Sequence, residues 1–134
     1  MTSVAAAGIP PAYALDYRAA AATCPGMDWT LLAAVGQIES GHGRNNGPSS
    51  AGAIGPMQFM PRTFASYAVD GDGDGTTDAW NPTDAIYTAA HYLCATGGGQ
   101  GPDGEHRALL AYNHAEWYVQ LVLAARSSIA AAAS

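Results

Sequence analysis

Lysine is absent from this 134-residue chain, and its five basic residues are all arginine. Against 11 acidic residues they leave a formal net charge of −6. No basic cluster is present, which argues against nucleic acid as a partner. Long apolar runs are missing as well, and no stretch approaches the roughly 20 residues that span a bilayer. Residues 1–9 have neither a basic start nor a long apolar stretch, so they are no intact signal peptide and read as an N-terminal tail. A mature form, an excised domain or a product exported by other means all fit. Cysteine is scarce: Cys24 and Cys94 are too few for a disulfide framework and lack metal-ligand spacing. One bridge closing a long loop is the expectation, and it points to an extracellular or cell-wall compartment. Two buried free thiols are the alternative.

What is present is hydrophobic. Apolar residues make up 49% and charged ones only 12%, which excludes a disordered chain. Strand-like alternation is missing, and helix signals follow one another. Pro10 and Pro11 open a first helix to about Thr23, broken by Pro25 and Gly26. Asp28 sits at an N-cap position before a second helix, Trp29 to Ser40, with an apolar stripe of Leu31, Leu32, Val35 and Ile38. Gly41 and Gly43 stop it, and a long irregular loop follows to Pro56. Pro61 opens a third helix over 61–69, and Asn81-Pro82 a fourth to about Ala95. After a glycine-rich connection, further helices are expected over 105–112 and 115–127. The fold class is therefore all-α: one domain over 10–127, flanked by tails 1–9 and 128–134. Ala5 to Ala7 and Ala130 to Ala133 read as linker or fraying helix. No exposed heptad seam is evident, so a monomer is expected.

Between the third and fourth helices runs Asp70-Gly-Asp72-Gly-Asp74-Gly75-Thr76-Thr77-Asp78. Its carboxylates fall at positions 1, 3, 5 and 9 of an EF-hand-type loop, with Gly75 at the sharp turn and the Thr76 carbonyl at position 7. Hard oxygen donors at this spacing select calcium, and crowded carboxylates repel one another unless a cation neutralises them. Position 12 is Asn81 rather than the usual Glu; Asp84 is either a substitute ligand or simply the third residue of the fourth helix. The ion's expected role is structural. A solvated acidic turn is the plainer reading.

Only three glutamates exist, Glu39, Glu105 and Glu116. Glu39 shares a helix face with Val35 and Leu32, just before the long loop. Partial burial there would raise its pKa and keep it protonated, as a general acid requires. A solvated edge residue is the alternative. Glu105 and Glu116 begin expected helices, where an acid complements the helix dipole. Asp16 and Asp28 read as structural. None of the histidines, His42, His91, His106 and His114, forms a metal pair.

Four ordered segments together resemble the lytic transglycosylases of peptidoglycan, over roughly residues 10–126. Ile38-Glu39-Ser40 is similar to the Glu-Ser segment of the soluble family. Ser49 to Pro61, with Gly55-Pro56-Met57-Gln58-Phe59-Met60-Pro61, resembles the wording of the membrane-bound transglycosylase B family. Tyr67 to Ile86, spanning the acidic loop and Trp80-Asn81-Pro82, resembles that family's calcium-loop segment. Ala111-Tyr112-Asn113-His114, then Tyr118-Val119, is like the Tyr-Asn segment of both. Pro56 replaces the Leu of the soluble family, and Ala115 stands where the B family often has Ser.

The resemblance implies a lysozyme-like helical fold of the kind shared with goose-type lysozyme. It implies Glu39 as the single catalytic acid and base, cleaving between N-acetylmuramic acid and N-acetylglucosamine to leave a 1,6-anhydro end. It puts Met57 and Gln58 in the glycan groove and Ser40 and Ser49 near the carboxyl, with Tyr112 and Asn113 holding the sugar or its N-acetyl group. Core packing is the alternative for Met57 and Tyr112. Rival functions are a goose-type muramidase, a glycan-binding module without turnover, and a calcium-dependent structural domain of a larger wall or phage-tail protein.

Overall fold

The computed structural model describes residues 7–133 and holds six α-helices among them. In chain order these are α1 (Pro11–Ala21), α2 (Trp29–Ser40), α3 (Pro61–Tyr67), α4 (Pro82–Ala95), α5 (Gly101–Tyr112) and α6 (Glu116–Ala133). The expectation for residues 1–6, including most of the N-terminal tail, lies outside the described residues.

The second helix is central. Its carboxylate cap is as expected, with Asp28 accepting the Thr30 N–H at 3.0 Å. It ends at Gly41, which sits in the left-handed region with φ 62°. Rather than showing one apolar stripe, it is buried without a break from Thr30 to Gly36. The cause is enclosure by α6, α1 and α4, all of which pack against it. A helix enclosed all round is apolar all round. Leu31, Leu32, Val35, Ile86, Leu93, Leu109, Val119 and Val122 form the centre of the core.

The third helix ends at Tyr67 rather than 69, and two boundaries differ by more. The fifth helix starts at Gly101 rather than 105. The glycine-rich connection is partly ordered helix because Gly104 packs on the Gly97 carbonyl, a contact that leaves no room for a side chain. The sixth helix runs on to Ala133, and Ile129 is buried within the stretch expected to be a tail. Glu105 consequently lies inside α5. Its carboxylate meets Arg126 at 2.7 Å, tying α5 to α6 instead of complementing a helix end. Arg126 also lies 3.6 Å from the Asp28 carboxylate.

Cys24 and Cys94 are disulfide-bonded, so the free-thiol alternative falls away. The bridge joins the end of α1 to the end of α4 across a sequence separation of 70. Closing a loop of that length stabilises by roughly 4 kcal/mol through the entropy removed from the unfolded chain.

Candidate active site

Two structures frame Glu39. Below it, the long loop folds into a tight hairpin in which Ile54 and Phe59 exchange backbone hydrogen bonds around Gly55–Gln58. Gly55 has φ 78° and its Cα abuts the Ala79 carbonyl and the Trp80 backbone, a fit that only glycine permits. Ser40 locks the hairpin to the helix end: its hydroxyl donates to the Pro56 carbonyl at 2.6 Å and accepts the Gly43 N–H at 2.8 Å. Tyr112 reaches across from the end of α5 and donates its hydroxyl to the Met57 carbonyl at 2.8 Å. Above it, the first turn of α6 brings in Tyr118, whose ring is buried and whose hydroxyl donates to Glu39 Oε2 at 2.6 Å.

Glu39 is mostly withdrawn from water. Burial raises its pKa to about 7, against the opposing pull of the Tyr118 hydrogen bond. Among the described residues no other carboxylate stands close enough to shift it. Its charge in turn raises the phenols of Tyr118 and Tyr112, after burial, which is the larger cause for both. Oε1 carries no hydrogen bond among the described residues, so one oxygen is fixed and the other is open to a proton partner.

Beside this centre lies a cleft of about 220 Å³, lined by Gln58, Met60, Thr63, Tyr92, Tyr112 and His114 among others. Glu39 is not part of its lining; the two are connected through Tyr112. Gln58 has φ 52° and its amide donates to the carbonyls of Asn46 and Gly55. Asn113 caps α5 with an extended backbone, and its side-chain amide is half-buried without a hydrogen bond among the described residues. Met57, for which groove lining and core packing were both open, is wholly buried. Ser49 is exposed, its hydroxyl closing its own turn by accepting the Ala53 N–H at 2.9 Å.

Sequence spacing did not single out Tyr118 as a partner of Glu39. It lies 79 positions away, and its role emerges only when α6 packs on α2. Its place in the fourth segment was the one available signal. His42 is also new: buried with φ 58°, it bonds the Tyr17 hydroxyl through Nδ1 at 2.7 Å, and burial brings its pKa down to about 4.

In the acidic loop, Asp70, Asp72, Asp74 and Asp84 bring carboxylate oxygens within 4.8 Å of one another. Asp78 is not in the group. The chain turns at 78–81, its carboxylate accepts the Trp80 N–H at 2.9 Å, and Asp84 swings in from the first turn of α4 instead. Asp84 is thus both the third helical residue and a member of the cluster, with its oxygens accepting the Gly71 and Asp78 N–H groups at 2.9 and 3.1 Å. Asn81 caps α4 and donates to Asp72 at 3.1 Å. Thr76 bonds Asp74 through both its N–H and its hydroxyl. This all-oxygen set could hold a hard divalent cation.

Residues 27–102 match the Transglycosylase SLT domain. The chain belongs to that family. A stretch of 49 residues of this chain is 51% identical to membrane-bound lytic murein transglycosylase B of Escherichia coli strain K12, covering 37% of this chain but 14% of that protein. Two solved structures share its fold. The Escherichia coli lytic transglycosylase Slt35 in complex with calcium matches with a TM-score of 0.75 at 19% identity, over 92% of this chain and 76% of that one. SltB1 of Pseudomonas aeruginosa matches with a TM-score of 0.78 at 20% identity, over 90% and 75%. The all-α, lysozyme-like architecture expected of the SLT domain is the one found. None of its described helices is long and apolar enough to cross a membrane.

Proposed function

We propose that this domain is a peptidoglycan lytic transglycosylase, with Glu39 as the one general acid and base. The observation that carries the reading is the Glu39 carboxyl itself. It is buried, protonated up to about pH 7, held at one oxygen by Tyr118 and not perturbed by any second described carboxylate. A two-carboxylate glycosidase would place a partner acid close by. With a single carboxyl, the second catalytic function falls to the substrate.

The reaction then runs as follows. Glu39 gives its proton to the glycosidic oxygen between N-acetylmuramic acid and N-acetylglucosamine as the bond to the anomeric carbon breaks. The N-acetyl oxygen of the muramic acid stabilises the positive charge left there. Glu39, now ionised, takes the proton of the same sugar's C6 hydroxyl, and that oxygen bonds to the anomeric carbon. A 1,6-anhydro end forms, no water is consumed, and Glu39 is protonated again. A pKa near the working pH lets one carboxyl serve as acid and then base.

Gln58, Tyr112 and Asn113 hold the sugar in this proposal, and the unpaired Asn113 amide suits the N-acetyl group. Ser40 fixes the hairpin beneath the carboxyl, and Ser49 is the second polar group assigned to its neighbourhood. Calcium is the proposed ion of the acidic loop, held by Asp70, Asp72, Asp74 and Asp84 with the Thr76 carbonyl. Bound there, it would neutralise the crowded carboxylates and add to stability. The disulfide supports an exported, cell-wall setting.

Mass spectrometry of the soluble products from purified peptidoglycan tests the reading, with Glu39→Gln as control. Anhydro-muropeptides that vanish in the variant are expected. Hydrated, reducing ends would make the domain a muramidase, and products that survive Glu39→Gln would overturn the assignment.

A further inference from the structure

The end of α2, where Glu39 stands, is gripped from α1. Tyr13 and Tyr17 lie four residues apart and share one face of α1, which packs on α2. Each hydroxyl rests against a glycine. The Tyr17 hydroxyl abuts Gly36, three residues before Glu39, and the Tyr13 hydroxyl abuts Gly43, four residues after it; neither contact leaves room for a side chain. Glycine inside a buried helix is unfavourable, so the hydroxyl accounts for Gly36 where the helix does not. Tyr17 reaches past it to His42. The hydroxyl lies 2.7 Å from His42 Nδ1, both side chains are buried, and the His42 backbone N–H returns to the Gly36 carbonyl at 3.2 Å. Burial holds the Tyr17 phenol far above its ordinary pKa, so the phenol donates and Nδ1 accepts.

His42 takes this place under strain. Gly41, His42 and Gly43 pass in succession through the left-handed region, with φ 62°, 58° and 85°, which a residue bearing a ring rarely adopts. The turn they make sets both what ends α2 and what lies beneath Glu39. After it, the Asn45 N–H caps the Ser40 carbonyl at 2.9 Å, and the Asn46 carbonyl receives the Gly55 N–H at 3.1 Å and the Gln58 amide at 3.2 Å. We propose that Tyr17 and His42 are positioning residues for Glu39: their hydrogen bond fixes the last turn of α2, so that the carboxyl meets the Tyr118 hydroxyl and stays shielded from water. This rests on the reading of Glu39 as the acid and deepens it. The clamp acts through the helix end, since the Glu39 carboxyl takes its hydrogen bond from Tyr118. Tyr112 and Tyr118 are the phenols that Glu39 raises, after burial, while Tyr13, Tyr17 and Arg44 surround His42.

Tyr17→Phe keeps the buried ring and deletes the hydroxyl. Two readouts on the folded variant test the proposal: turnover of purified peptidoglycan, and titration of the Glu39 carboxyl by carbon-13 NMR. The kcat should fall about tenfold with KM unchanged, because the acid is misplaced while the sugar contacts remain. The Glu39 pKa should move down from about 7, because a loosened helix end lets water reach the carboxyl. A clamp that only stabilised the fold would lower the melting temperature and move neither. His42→Asn should keep most of both properties, since Asn tolerates the left-handed backbone and its Oδ1 accepts where Nδ1 does. His42→Ala should behave as Tyr17→Phe does, and the two losses should not add when combined, because one bond is removed twice. Asn and Ala variants that behave alike, additive losses, or an unmoved kcat and pKa in Tyr17→Phe would each overturn the proposal. The titration separates the two readings. A wild-type domain that releases no product sinks the cleavage reading, and a pKa that still shifts leaves the clamp; release with an unmoved titration sinks the clamp alone.

Discussion

Glu39 and Asp84 are both withdrawn from solvent, and the protein surrounds them in opposite ways. Asp84 is fully buried, and each of its oxygens accepts a backbone N–H, from Gly71 and from Asp78. Those donors belong to the loop it closes, so the carboxylate works as a fixed strut. Glu39 has one donor, a phenol on a distant helix, and its second oxygen is left open. Burial with so few donors disfavours the charged form, and the pKa rises to about 7. The Asp84 carboxyl is held by a backbone amide at each oxygen. Glu39 has burial, one hydrogen bond and an open oxygen, the setting that the proposed proton exchange requires.

Removing the acid should produce the largest effect. Glu39→Gln is expected to lower product release by about a thousandfold or more, the range for loss of a general acid. The same change should not destabilise. Unfolded Glu39 ionises near its ordinary 4.5, while the folded group keeps its proton to about 7. The folded state therefore binds more protons between these values, and stability falls as pH rises through that window. Allowing for partial exposure, Glu39→Gln should regain about 2 kcal/mol at pH 8 and nothing at pH 4. Thermal melts at the two pH values check this, and a variant less stable at pH 8 would break the contrast with Asp84.

Asp84→Asn should do the reverse. One of its two backbone amide partners loses its acceptor, which costs about 1 kcal/mol, and the melting temperature should drop. Turnover per folded molecule should change far less than for Glu39. The exposed members of the loop give a smaller and conditional effect. Asp74→Ala should lower the melting temperature more with calcium than with chelator. Equal losses under both conditions would leave the loop as a hydrogen-bonded acidic turn.

Legibility in the sequence followed the range of the interaction. Asp28 and Gly41 bounded α2 because caps act within one turn, and Asn81-Pro82 opened α4 for the same reason. Glu39 was legible as a helix-edge acid, since Leu32 and Val35 lie on its own face. Its phenol partner was not, because no local pattern records a contact that depends on α6 crossing α2. The sequence named Asp78 at position 9 and Asp84 as a candidate substitute at position 12, and could not say which joins the cluster, for a related reason. Counting positions along a standard loop favoured Asp78, but the chain turns at 78–81 and brings the helix's own acid inward. The start of α5 was missed because Gly101, Pro102 and Gly104 spell a linker, whereas tight packing on Gly97 makes them a helix. The hydrophobic extension of α6 past 127 was visible only as alanine, with Ile129 alone marking its buried side.

Tyr118→Phe gives the finest test of how Glu39 is tuned. The ring and its packing stay, and only the hydroxyl that donates to Oε2 is lost. That hydrogen bond favours the ionised carboxyl and holds the pKa down against burial. Without it the pKa should rise above 7, and the high-pH limb of the activity profile, where the acid loses its proton, should move upward. The rate at neutral pH should still fall about tenfold, because the carboxyl loses its anchor and because the ionised form is less well held when Glu39 must act as base. A lower rate with an unmoved limb would assign Tyr118 to packing alone. A limb that moved downward would mean that the phenol donates elsewhere, and that burial by itself sets the proton affinity of Glu39.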